Sequence, residues 1–135
     1  LKVIVSEIAS IRHNIVHVEA MMLKVNEEFK LPEEEFQKLM IAVTEVVINA
    51  IIHGNKENKN KKVSIAAEYD DKNLYVKICD EGNGFNPNEI VDPTLPENIL
   101  KESGRGIFIV KSLVDDFSYR HTEKGSEFVL AVRKK

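Results

Sequence analysis

The hydrophobic period of this chain changes from helical to strand-like and back, and that order decides which folds are open to it. From Ile11 to Phe29 the apolar residues Ile11, Ile15, Val18, Met22, Val25 and Phe29 recur every three or four positions, which predicts an amphipathic helix. Leu31-Pro32 punctuates the chain, and Pro32 followed by Glu33, Glu34 and Glu35 opens a second helix with acids at its positive dipole end. That helix is expected to run to about His53, with Gly54-Asn55 as its stop signal. The period then drops to two. Val63 to Tyr69 and Leu74 to Asp80 read as a β-hairpin around Asp70-Asp71-Lys72-Asn73, and Phe117 to Arg120 and Glu127 to Val132 as a second one around Lys124-Gly125. A short strand at Lys2 to Glu7 precedes the first helix, and a third helix is expected from Ile107 to Val114. Strands that follow one another through tight turns pair antiparallel, and their apolar face needs helices to cover it. The expected fold is therefore α+β, a two-layer sandwich with helices on one face.

Length and charge narrow the function classes. A chain of 135 residues suits one domain, here 1–135, with a core large enough to need no disulfide, and only Cys79 is present. Lys and Arg number 19 against 22 Asp and Glu, a net charge of −3, which argues against a dedicated nucleic-acid or anionic-membrane surface. No unbroken apolar run approaches the roughly 18 residues that span a bilayer, and no signal-peptide pattern opens the chain. A soluble, cytoplasmic domain that acts on proteins or small molecules is expected.

Three blocks carry candidate chemistry. Within Ala42–Asn55, Glu45, Asn49 and His53 are spaced four apart, so a continuous helix puts them on one face. They form either a solvated polar stripe or the wall of a polar pocket, with Glu45 as proton acceptor and Asn49 as an oxygen ligand for a hard cation. Asp80-Glu81-Gly82-Asn83-Gly84 ends a strand in an acid and a G-x-G, which alone is a common turn. Gly104-Arg105-Gly106 stands at the mouth of the third helix, either as a hinge or as a phosphate contact. Between them, Gly82, Gly84, Gly104 and Gly106 with Pro87, Pro93 and Pro96 mark a long loop of the kind that carries function in small domains. No Walker A loop or dinucleotide fingerprint occurs.

Other polar residues have simpler explanations. His53 suits a helix C-terminal cap, His13 and His17 a surface face, and Cys79 a small buried hydrophobe.

In this order the blocks resemble the N, G1 and G2 boxes of the ATP-binding fold shared by gyrase, heat-shock chaperone, mismatch-repair and histidine-kinase ATPases. The resemblance runs from Phe36 to Phe128 and, within that superfamily, is strongest to the anti-sigma factor serine/threonine kinases. It implies a Bergerat-type sandwich with a mostly antiparallel mixed sheet. It further implies Glu45 as the general base, Asn49 as the Mg²⁺ ligand and Asp80 as the acid that binds the adenine amino group. Gly82 and Gly84 would fit the backbone around the nucleotide, while Gly104, Arg105 and Gly106 would end a lid, Asn86 to Ser103, over the phosphates. Ser126 falls where the superfamily usually has Thr and keeps the hydroxyl. The implied cofactors are ATP and Mg²⁺. The implied partners are a sigma factor, held inactive, and an anti-anti-sigma-type protein phosphorylated on Ser or Thr. The family's members commonly dimerise, which implies a homodimer through the first strand and helix. A nucleotide-gated binding module with little phosphoryl transfer, and a detached histidine-kinase catalytic domain, stay open as alternatives.

Overall fold

The computed structural model describes residues 1–82 and 102–135, with only the backbone path given for 102–107. Gly84 and nearly all of the expected lid lie outside the described residues.

The chain begins with strand β1 (Lys2–Ala9), then helices α1 (Ile15–Phe29) and α2 (Glu33–Asn49). The hairpin β2 (Lys62–Tyr69) and β3 (Asn73–Cys79) follows, then α3 (Glu102–Leu113) and the hairpin β4 (Asp116–Thr122) and β5 (Gly125–Arg133). The five strands lie in the order β1-β2-β3-β5-β4, and all four neighbouring pairs are antiparallel. The expected mostly antiparallel sheet is thus antiparallel throughout the described residues.

Alternation along the strands fixes the buried face. Cross-strand partners Ile65, Ile78 and Phe128, and then Ala67, Val76 and Leu130, form rows that are all buried. Val18, Met22, Val25 and Phe29 of α1 join the same core, as do Leu39, Val43, Val46 and Val47 of α2. Phe29 meets Tyr69 edge to face at 6.2 Å.

Helix boundaries differ from the periodic pattern in ways that have physical causes. Ile11 is exposed, because a 3₁₀ turn at Arg12–Asn14 intervenes and α1 starts only at Ile15. His13 therefore lies in that turn, while His17 lies on α1, and the two do not share one helix. The first helix ends at Lys30 in the left-handed region (φ 60°), where the Asn26 side chain accepts from the Leu31 N–H at 2.8 Å. Pro32 is the N-cap of α2 rather than its first helical residue.

The α-helical part of α2 stops at Asn49 and widens into a π turn, Ala50–Gly54. With that turn the helical span Glu33–Gly54 is 22 residues, long and apolar enough by composition alone to cross a membrane. A search for an unbroken apolar run passes over it because Glu45 and Asn49 interrupt it. Its apolar side is a core face, with Ala42, Val43, Val46, Val47, Ala50 and Ile51 all fully buried.

The third helix starts at Glu102, five residues before the expected Ile107. Gly104, Arg105 and Gly106 consequently lie inside its first turns rather than ahead of it. Two glycines each weaken a helix by about 1 kcal/mol against alanine, which is why this segment reads as loop from sequence.

Candidate functional site

The C-terminal end of β3, the π turn after α2 and the start of β5 meet around Asp80. This side chain is 5% exposed. Its Oδ1 accepts the Gly82 N–H at 2.9 Å and the Ser126 N–H at 3.2 Å, and its own N–H donates to the Ser126 carbonyl at 3.0 Å. A buried carboxylate held from two sides cannot swing, and Oδ2 is the oxygen that makes no hydrogen bond among the described residues.

Three glycines let the chain close on this residue. A Cβ on Gly54 would lie 2.2 Å from Asp80 Oδ2, and one on Gly82 would lie 2.0 Å from the Gly54 carbonyl oxygen. Gly125, at φ +144°, would bring a Cβ within 1.8 Å of the Asp80 carbonyl oxygen. Gly54 thus has a different job from the one its position suggests. The left-handed residues after the helix are Lys56 and Glu57, at φ 54° and 56°, and Gly54 is glycine because Asp80 leaves no room for a side chain.

On α2, Glu45 and Asn49 are both half-buried, one turn apart. Asn49 Nδ2 is buried with no hydrogen-bond partner. Orphaned buried amide groups of this kind are rare. His53 falls in the π turn, which breaks the strict four-residue phase, and its side chain is exposed. Asn49, the N-cap of the turn, makes no side-chain cap hydrogen bond, and at the other end the Asn55 N–H donates to the Ala50 carbonyl.

Ser126 is 2% exposed, and its Oγ lies 3.3 Å from the Tyr119 hydroxyl. Cys79, half-buried beside Asp80, has its thiol pushed up in pKa first by burial and then by the neighbouring Glu127 and Asp80 carboxylates, which fits a packing role.

Sequence reasoning missed Asn55. It is 1% exposed and sits between β1, β2 and the residue after Asp80. The one available signal was a polar residue directly after Gly54, which read as the end of a helix.

A pinned acid after an inner strand, a glycine collar and a half-buried Glu-x-x-x-Asn helix define a nucleotide-binding sandwich of the kind the motifs imply. The chain belongs to the histidine kinase-like ATPase domain family, which matches it over residues 9–132. It is similar to the anti-sigma F factor of Bacillus subtilis, 35% identical in a match 121 positions long that covers 78% of this chain and 82% of that one. It is also similar to the serine-protein kinase RsbW of Bacillus subtilis, 34% identical over 89 residues, 62% of this chain and 56% of that protein. Among solved structures, the RsbU and RsbW domains of a Mycobacterium tuberculosis protein superpose with a TM-score of 0.72 at 17% identity. That match covers 98% of this chain and 32% of the other, and it bears on the fold alone.

Proposed function

We propose that this chain, as a single ATP-binding domain spanning 1–135, is a serine/threonine protein kinase of the anti-sigma factor type. It holds a sigma factor inactive and transfers the ATP γ-phosphoryl group to a Ser or Thr of an antagonist protein. The observation that carries this is the buried Asp80, fixed through Oδ1 and with no hydrogen bond at Oδ2 among the described residues, in a chain whose second helix carries the half-buried Glu45 and Asn49.

Each side chain has a defined task. Asp80 Oδ2 accepts a hydrogen bond from the adenine amino group, while Gly82 keeps the wall thin there. Ser126 places a hydroxyl at the same end. Glu45 accepts the proton of the attacking hydroxyl, and half-burial keeps it near the reacting groups without removing it from solvent. Gly84 and the Gly104-Arg105-Gly106 segment are assigned to the phosphates by the family resemblance, with Arg105 as the charge-assisted donor.

The unpartnered atom of Asn49 is its Nδ2, a donor that suits a phosphate or water oxygen, while Mg²⁺ would take the side chain's Oδ1, a role that rests on the family resemblance. Among the described residues no group of three or more His, Cys, Asp or Glu comes together, so a cation here would depend on Asn49, phosphate oxygens and water. When bound, the ion neutralises phosphate charge. The partners are proteins, with no direct role for nucleic acid or membrane, and the setting is cytoplasmic. A homodimer through β1 and α1 is supported by β1 being a sheet edge whose Val3 and Val5 are 53% and 66% exposed.

The deciding experiment mixes purified protein, labelled ATP, Mg²⁺ and co-purified partners, and compares wild type with Glu45→Gln. The variant should bind ATP as wild type does and lose about 10²- to 10⁴-fold in transfer to a Ser or Thr. Transfer at the wild-type rate would remove Glu45 from the base role. No transfer by the wild type, with ATP still bound, would favour a nucleotide-gated binding module.

A further inference from the structure

Asn55 makes more hydrogen bonds than a helix stop requires. Its N–H donates to the Ala50 carbonyl at 2.8 Å, the bond that closes the π turn. Its Nδ2 donates to Ser10 Oγ at 2.8 Å and to the Lys62 carbonyl at 3.0 Å, and its Oδ1 accepts the Glu81 N–H at 2.8 Å. Both donors and the acceptor of the amide are therefore used, inside a residue that is 1% exposed. Ser10 Oγ in turn donates to the Lys61 carbonyl at 2.6 Å, and the Glu81 carboxylate accepts the Lys62 N–H.

These bonds join the end of β1, the start of β2 and the peptide immediately after Asp80. Asp80 is held on its other side by Ser126, so Asn55 and Ser126 clamp the backbone that carries the carboxylate. The wider π turn is what allows it. A regular α-helix would bond Asn55 N–H to the Ile51 carbonyl, whereas here the bond reaches Ala50 and Gly54 lies against Asp80.

We infer that Asn55 is a positioning residue for base recognition: by holding the Glu81 peptide it aims the free oxygen of Asp80 at the 6-amino group of a purine nucleotide. This rests on the proposed adenine-binding role of Asp80. The consequence is specific, because loss of Asn55 should damage discrimination between ATP and ITP, which carries a carbonyl in place of that amino group.

The test measures equilibrium affinity of the full chain for ATP and ITP in wild type, Asn55→Ala and Asn55→Asp, each well below its unfolding midpoint. Wild type should prefer ATP by about tenfold or more, the worth of one hydrogen bond to a carboxylate. Asn55→Ala should lose most of that preference through weaker ATP binding, with ITP affinity little changed. Asn55→Asp retains an oxygen for the Glu81 N–H and should keep the preference despite lower stability. An Asn55→Ala protein that is less stable yet keeps the wild-type ratio makes Asn55 merely structural and overturns the inference alone. A wild type with no preference for ATP overturns the Asp80 assignment, and the inference falls with it. Amide exchange of the wild type covers the case in which Asn55→Ala does not fold. The Glu81 N–H should be as protected as the core of β3, and exchange at the rate of an open loop would refute the clamp.

Discussion

Replacing Gly54 by alanine sets two physical effects of opposite sign against each other. Gly54 ends a helical turn without a positive φ, so propensity alone predicts that Gly54→Ala stabilises the protein by up to about 1 kcal/mol. Packing predicts the reverse. The new Cβ would stand 2.2 Å from Asp80 Oδ2 and 2.5 Å from its Cγ, and ordinary contact begins at 3.4 Å, so the carboxylate must retreat by about 1.2 Å. It cannot do so and keep the bonds from Gly82 and Ser126 at 2.9 and 3.2 Å. Losing or stretching two hydrogen bonds to a carboxylate costs about 1.5–3 kcal/mol each at most, and relaxation returns part of that. A net loss of about 2–4 kcal/mol follows, which for a domain of this size lowers Tm by about 10 °C. Urea unfolding of Gly54→Ala, Asp80→Ala and the double variant tests the cause. With Asp80 truncated only its Cβ remains, at 3.2 Å, and Gly54→Ala should then cost under about 1 kcal/mol, giving a coupling near 2 kcal/mol. A neutral or stabilising Gly54→Ala, or an equal cost in both backgrounds, would refute the close approach as the reason for glycine.

Asn49→Ala should weaken Mg·ATP binding far more than metal-free nucleotide binding in paired calorimetric titrations, and equal losses would end the metal role. Asp70 accepts the Lys72 and Asn73 N–H groups at 2.8 and 2.7 Å in the β2–β3 turn, bonds that hold its carboxyl below the ordinary aspartate range. A depressed carboxylate stabilises fully above its unfolded pKa and loses that contribution as pH falls through the folded value. Wild type should therefore lose more stability than Asp70→Ala below about pH 4, which denaturant titrations across that range would reveal. Cys79, with its thiol pushed up by burial, should react with a disulfide reagent at pH 7.5 much more slowly than in urea. Equal rates would mean the site is open.

The hairpins were legible because alternation such as Val63, Ile65, Ala67 and Tyr69 has one buried solution. Glu45, Asn49, Asp80 and Ser126 could be named from their motifs, since residue type and order survive in the sequence. The π turn could not, because nothing in Ala50-Ile51-Ile52-His53-Gly54 departs from ordinary helical composition. That hidden widening takes His53 out of the four-residue phase; Gly54 and Asn55 do end the helical span, but their packing against Asp80 and Glu81 has no mark in the sequence. The early start of α3 was masked by a local cost, two glycines, that tertiary contacts outweigh.

The hydrogen bond from Ser126 to Asp80 crosses 46 residues, and the one from Asn55 to Ser10 crosses 45. The surroundings of Asp80 are thus assembled from stretches that are far apart along the polymer, and the proposed base recognition cannot precede the docking of the last hairpin. Nucleotide affinity should therefore report completion of the whole fold. At a hundredfold excess over Kd, ATP would add about 2.7 kcal/mol to global stability, protecting regions as distant as the β4–β5 turn from proteolysis.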